Sequence, residues 1–334
     1  MNPPPLRPLA PDEPLCVTIA TRNRPTYLTA LLTSLALQTH PRWSLVVNDQ
    51  SDVPVAENDT VHDLLMLLES LGHATHVFRS NEPRDRYQRV MEAVPAGVDL
   101  VVRIDDDVIV TPTYLERITA PLAFFPERAI AAVGGCLPEP HMRDAHPLGR
   151  RLADPDWVPR ADRPTWRLQG HHYTTREIIT VESLWGCSMC YRRSATDAVG
   201  GWVVAGQSEQ IFREDSDMSA RWRAAGYELL VTTDALGRHL VAPSGGSRDY
   251  RKSPQGNVLI SDRAPFEADD RLFRERLATI LAGFTPEPPR RWAIEDLERG
   301  DRGARAFVSA GDRLAATAAA ARRALRRARA KLKL

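Results

Sequence analysis

Three consecutive carboxylates, Asp105, Asp106 and Asp107, lie between two β-branched apolar runs, Val101-Val102-Arg103-Ile104 and Val108-Ile109-Val110. The pattern reads as a buried strand that presents acid at its C-terminal tip, the edge where ligands bind in an open α/β sheet. Adjacent carboxylates repel one another and lose hydration, so a cluster at the edge of a core calls for a cation. A hard divalent ion, Mg²⁺ or Mn²⁺, held by one or two of these carboxylates and completed by substrate phosphates and water, suits the residue type. A solvated acidic turn accounts for the triplet alone equally well.

A second acidic run, Glu214-Asp215-Ser216-Asp217, opens a helical stretch whose apolar side includes Met218 and Trp222 and whose stop is Gly226. Acids there can complement the helix dipole, or one of them can take a proton from a substrate hydroxyl. Cys187-Ser188-Met189-Cys190 has metal-like spacing, with Cys136, His141, His146, His171 and His172 upstream. A lone pair without a second matched pair is weak as a zinc signature, so these cysteines read as small apolar residues in a strand.

The elements that must position these groups follow from periodicity. Leu15 to Ala20 reads as a strand, Thr21-Arg22-Asn23-Arg24-Pro25 as a turn, and Leu28, Leu31, Leu32 and Leu35 mark an amphipathic helix. Trp43 to Val47 is the next strand and ends in Asn48-Asp49-Gln50-Ser51-Asp52. A right-handed βαβ unit puts both tips on one edge. A helix over 62–71, a strand over 76–78 and a helix over 84–94 bearing Arg84, Arg86 and Arg89 lead into the acidic strand. Thr21, Asp49 and Asp105 to Asp107 therefore converge, with arginines nearby, on a rim suited to a nucleoside diphosphate. Beyond it, 113–125 reads as a helix, 129–135 as a strand, 138–177 as a long polar insertion with Trp157 and Trp166, and 178–181 and 228–232 as strands.

With 334 residues and a formal charge of +1, the chain can bury a large core and carries no global field for nucleic acid. Lysine occurs only at Lys252, Lys331 and Lys333. Residues 1–14 are proline-rich and read as a disordered lead-in without a targeting or membrane-spanning segment, and the expected location is cytoplasmic. After a helix over 268–281, residues 313–334 read as an alanine-rich helix with a heptad-like stripe flanked by arginine and lysine. That helix could meet the inner, anionic face of a membrane, self-associate into a homo-oligomer, or stand solvated.

The ordered set Val17-Thr-Ile-Ala-Thr-Arg-Asn-Arg-Pro25, Gln38-Thr-His-Pro41, Leu45-Val-Val-Asn-Asp-Gln-Ser51 and Ile104-Asp-Asp-Asp107 resembles the N-terminal half of family 2 glycosyltransferases. Arg192-Arg193, Val199-Gly-Gly201 and Glu214-Asp215 are similar to that family's acceptor-side signature. The resemblance covers about residues 15–245. It implies a GT-A fold, an α/β nucleotide-binding sheet with helices on both faces, and an inverting transfer from a nucleotide-diphosphate sugar, UDP-sugar foremost, to a carbohydrate or glycoconjugate hydroxyl. It places Asp49 at the base, Asp105 at ribose and metal, Asp107 at the metal, and Asp215 as general base. Asn48 departs from the usual acid at the first position of its motif, which bears on how ribose is held. His239 resembles the third metal ligand of some members, a role in which imidazole favours Mn²⁺. Thr21, Arg22, Arg84, Arg86, Asp106, Trp185, Gly186 and Glu214 complete the expected substrate-binding set, while Asp217 is expected to face solvent.

On this reading residues 15–110 form the nucleotide-sugar half, 111–247 the acceptor half, and 248–334 a helical C-terminal extension. Two other classes compete. A sugar-phosphate nucleotidyltransferase would share the fold and metal but ask for a glycine-rich phosphate loop near the N-terminus, which is missing. A non-catalytic sugar-nucleotide-binding or membrane-associated scaffold would leave Asp215 and the acidic triplet without a task.

Overall fold

The computed structural model describes residues 3–10, 12–137, 176–203, 205–208, 210–246, 250–252, 258–260, 263–282, 284, 290–303 and 305–306. The insertion with Trp157 and Trp166, its histidines and the basic helix over 313–334 lie outside the described residues.

The chain enters through β1 (Leu15–Thr21), α1 (Pro25–Ala36), β2 (Trp43–Asp49), α2 (Asp59–Ser70) and β3 (Thr75–Arg79). Pro25 sits in the first turn of α1, where its fixed φ and missing N–H cost nothing. A 3₁₀ turn (Pro83–Arg86) then precedes α3 (Gln88–Ala93), β4 (Leu100–Ile104) and β5 (Val108–Val110). The single helix expected over 84–94 is thus split at Tyr87, because Arg84 and Arg86 turn away to donate to the carbonyls of Gln207 and Gln210.

The second half runs α4 (Tyr114–Phe124), β6 (Ile130–Cys136), β7 (Glu177–Val181), β8 (Ser188–Arg192), α5 (Arg193–Ala198), α6 (Glu214–Ala224) and β9 (Glu228–His239). A short hairpin, β10 (Tyr250–Lys252) with β11 (Val258–Ile260), is followed by α7 (Arg263–Ile280), β12 (Arg290–Ala293), α8 (Ile294–Glu298) and β13 (Arg305–Ala306). The C-terminal extension is therefore more than helical, since β12 pairs with β7 and lengthens the central sheet.

Among the described residues that sheet runs β13-β12-β7-β9-β6-β8-β4-β1-β2-β3, with β5 joined to the far end of β9. β1 is parallel to both β2 and β4 and has six fully buried positions, as expected of a strand covered on both faces. Its side chains alternate: Leu15, Val17 and Ile19 pack with Leu28, Leu31 and Leu32 of α1 on one face. Cys16 belongs to the opposite core, with Val101, Met189 and Trp222. Two apolar layers therefore clamp the sheet and fix the C-terminal ends of β1, β2 and β4 side by side.

Candidate active site

Strand register builds the acidic rim. β5 pairs antiparallel with the end of β9 so that Val108 stands opposite His239, which brings the ring beside the residue just before Val108. His239 Nε2 lies 3.2 Å from Asp107 Oδ1, while Asp107 Oδ2 accepts from the Ala242 N–H at 2.8 Å. Burial opposes ionisation of Asp107, but the His239 ring and that N–H outweigh it and hold the carboxyl below its ordinary range. Asp105, Asp107 and His239 each offer a ligand atom, and the three atoms lie within 4.8 Å of one another. Two carboxylate oxygens with one imidazole nitrogen form a donor set that fits a divalent ion.

Asp106 points elsewhere. Its Oδ2 accepts from Thr21 Oγ1 at 2.8 Å and its Oδ1 from Arg24 Nη1 at 2.9 Å. Burial, with the Asp107 charge beside it, pushes this carboxyl up to about 6 although Arg24 and Thr21 favour the anion. Arg24 also donates to the carbonyls of Ser244 and Gly245, so Asp106 ties β1, β4 and the loop after β9 together. A Cβ on Gly245 would fall 2.7 Å from the Arg24 side chain, and its φ of +72° is a second reason for glycine there.

The second acidic run opens α6. Asp215 is half-buried; its Oδ2 accepts from the Gly186 N–H at 3.1 Å and its Oδ1 from the Ser216 N–H at 2.7 Å. The β4–β8 register explains that contact: Ile104 stands opposite Ser188, so the segment leading into β8 passes the β4 tip and the Asp105 N–H donates to the Cys187 carbonyl. Glu214 is buried, taking a 2.5 Å hydrogen bond from Tyr87 Oη and pairing with Arg103 at 3.2 Å.

Two adjoining cavities result. One, of about 130 Å³, is lined by Thr21, Arg22, Arg24, Arg86, Asp105 and Asp106 among others. The other, of about 200 Å³, is lined by Arg103, Asp105, Trp185, Gly186, Cys187, Glu214, Asp215 and His239. Arg103, Asp105 and Glu214 stand in the wall of both.

The model of the family described as "Glycosyltransferase like family 2" matches residues 11–253. The chain belongs to this family. It is a glycosyltransferase with a GT-A type α/β fold. Among solved structures it is similar to S. aureus TarS 1-349 in complex with UDP (17% identity, TM-score 0.49, covering 81% of this chain and 70% of that one). It is also similar to the mannosyltransferase PcManGT of Pyrobaculum calidifontis in complex with GDP-Man and Mn²⁺ (15% identity, TM-score 0.49, covering 88% and 81%). The longer S. aureus TarS structure matches at 16% identity and TM-score 0.47 over 81% of this chain, which spans 42% of the length of that protein. No curated protein matches the sequence.

Most of the residues picked out in the sequence of this glycosyltransferase come together: Thr21, Arg22, Arg86, Asp105 and Asp106 around the first cavity, Trp185, Gly186, Asp215 and His239 around the second, and Glu214 between them. Three do not line either cavity. Asp107 is buried and joins the site through Asp105 and His239, its neighbours in the ligand set. Asp49 is 1% exposed, and its oxygens accept from the N–H groups of Ser51 and Val55, closing the loop after β2. Arg84 is committed to the Gln207 carbonyl. Asp217 is a correction, being buried at 2% exposure rather than facing solvent, because Arg221 and Arg276 flank it at 2.7 and 3.0 Å.

Sequence reasoning passed over Arg24, Arg103 and Asp269. Arg24 and Arg103 were legible in principle, since a cation in a turn between two site strands, or inside an apolar strand two residues before an acid, needs a partner. Asp269 had no such signal. From α7 it accepts from the Ser208 N–H, the Ser208 hydroxyl and the Phe212 N–H, gathering the loop that delivers Glu214 and Asp215.

Proposed function

We propose that this glycosyltransferase is inverting, and that it moves a sugar from a nucleotide-diphosphate donor, UDP-sugar foremost, to a hydroxyl of a carbohydrate or glycoconjugate acceptor. The observation that carries the reading is that Asp215 faces one cavity with Asp105 and His239, the two residues that form a ligand set with Asp107. Asp105, Asp107 and His239 would hold Mn²⁺ or Mg²⁺, which supplies charge stabilisation to the departing diphosphate. The family resemblance favours UDP as the nucleotide.

The chain's own residues supply the rest. The Asp215 carboxylate takes the proton of the acceptor hydroxyl as its oxygen bonds to the anomeric carbon, and the bond to the diphosphate breaks with its electron pair on the leaving oxygen. Gly186 and Ser216 hold Asp215 by backbone donors, which keeps it aimed. Glu214, engaged by Tyr87 and Arg103, is a poor nucleophile for a covalent intermediate, and that favours one displacement with inversion. Thr21 and Arg24 keep Asp106 against the wall, leaving Asp105 and Asp107 for the ion.

The test is isothermal titration of the full chain with UDP, GDP and other nucleoside diphosphates, with Mn²⁺ and with chelator. Metal-dependent binding of UDP is expected. Binding of another nucleotide would revise the donor, and binding of none, or binding indifferent to chelator, would overturn the reading.

A further inference from the structure

Gln50 follows β2 directly, and its backbone N–H donates to the Thr21 carbonyl at 2.9 Å, which sets it beside the tip of β1. Its side-chain amide is held in one orientation. Nε2 donates to the Glu82 carbonyl at 2.7 Å and to Ser80 Oγ at 3.4 Å. A carbonyl can only accept, so the NH₂ end must face Glu82 and the amide oxygen must turn away from it. Neither Ser80 nor Glu82 lines the first cavity, whereas Gln50 does. Oε1 takes no hydrogen bond among the described residues, yet it is not one of the sealed polar atoms of the interior and stays open to a ligand. The cavity wall thus carries a fixed acceptor whose partner must come from outside the chain.

The acid next to it cannot do this work. Both Asp49 oxygens are taken by the N–H groups of Ser51 and Val55, and the residue is 1% exposed. The two cavities say which part of a ligand Gln50 meets. Asp105, of the metal-ligating set, lines both, while Asp215 and His239 line only the second and Gln50 only the first. A nucleotide-diphosphate sugar whose diphosphate meets the ion beside Asp105, and whose sugar reaches towards Asp215, extends its nucleoside into the first cavity. An amide oxygen there asks for a proton on the base. Uracil offers N3–H; cytosine has a lone pair at the same ring position, which would face the lone pairs of Oε1 and leave both acceptors unpaired.

Building on the nucleotide-sugar reading above, we propose that Gln50, in place of Asp49, reads the nucleobase, with Oε1 accepting from N3–H of uracil. Gln50 is thereby a specificity residue for the nucleotide, and it selects against cytosine.

The experiment titrates UDP, CDP and N3-methyl-UDP in Mn²⁺ into the full chain and into Gln50→Met and Gln50→Glu. The unaltered protein should bind UDP about tenfold more tightly than either competitor, as befits one hydrogen bond made or refused. Gln50→Met removes both the acceptor and the donor to Glu82, and the preference for UDP should vanish. Gln50→Glu loses the same donor but keeps an accepting oxygen, so the preference should survive even where every affinity falls. A residue that merely shapes the loop would shift all three nucleotides together in both variants. The proposal is overturned if the unaltered chain binds CDP or N3-methyl-UDP as tightly as UDP, or if Gln50→Met retains the preference. Should Gln50→Met bind no nucleotide, Gln50→Glu decides, and loss of the preference there overturns the proposal. If the unaltered chain binds no nucleoside diphosphate at all, the donor reading itself has failed and the assignment of Gln50 falls with it, a result separable from the others.

Discussion

The two acidic runs of the site are built alike and braced differently. In each, one carboxylate is given to arginine. Asp106 is held by Arg24 at the tip of β4, and Asp217 by Arg221 and Arg276 at the start of α6. The β4 brace comes from Arg24 in the turn after β1, within the matched segment. The α6 brace comes largely from α7, which lies outside the matched segment 11–253. Asp269 and Asp270 of α7 reinforce it, Asp269 holding the loop at 208–212 and Asp270 pairing with Arg213. The β4 tip is thus braced from within the matched segment, whereas the start of α6 is braced in part from the C-terminal extension.

Exchanging the key carboxylate on each side separates the two functions. Asp215→Asn should lower sugar transfer, read as UDP released from the donor, by about 10²–10⁴-fold, the usual contribution of a general base. Its UDP affinity should not change. Asp107→Ala should lower transfer too, but through the donor, weakening Mn²⁺-dependent UDP binding by at least about tenfold, or ~1.4 kcal/mol. In that variant, titration with and without chelator should give the same affinity. If Asp215→Asn weakens UDP binding, or Asp107→Ala leaves it unchanged, the division into a donor side and a base side fails.

The brace itself is tested at Asp269. It is 2% exposed and serves three donors of one loop. Asp269→Ala should cost about 2–3 kcal/mol in urea unfolding, as buried hydrogen bonds to a charge do. It should also slow transfer while leaving UDP affinity as it was. A variant with lowered stability but full transfer would show that the loop holds its shape without α7.

How much of this could be read from residue order differs between the two sides for a physical reason. Strands β1, β2 and β4 and helix α1 follow from local periodicity, and parallel pairing then forces Thr21 and Asp105 onto one edge. His239 could be singled out as a ligand, but its approach to Asp107 depends on β9 continuing to pair with β5, a long-range register. The approach to α6 was illegible. The non-glycine residues with positive φ among those described are Asn23, Ile211, Arg213 and Val241, at the turn after β1, the loop before α6 and the segment after β9. β-branched residues such as Ile211 and Val241 rarely adopt that conformation, so no local preference announces it. Surrounding contacts impose it, and such strain gathers where a site must be aimed. Asp217 shows the same limit, since its partner Arg276 is supplied by a helix distant in sequence.

Asp270 gives the smallest effect and the finest resolution of the brace. It neighbours Asp269 on α7 but pairs with Arg213 and Arg274, both more open to solvent, so screening reduces what the pair contributes. Asp270→Asn should cost less than about 1 kcal/mol. Burial opposes ionisation of Asp270, yet Arg274 and Arg213 together prevail and hold its carboxyl below the ordinary range. Because the folded pKa is the lower one, the contribution is fully present above the unfolded carboxylate value of about 3.9 and fades as the pH falls through the folded value. Urea unfolding of the two proteins at about pH 7 and about pH 3.5 should therefore show a small gap that narrows on acidification. A gap as large as that of Asp269→Ala, or one that widens in acid, would mean that the base is aimed by surface charge rather than by the buried hydrogen bonds of its neighbour.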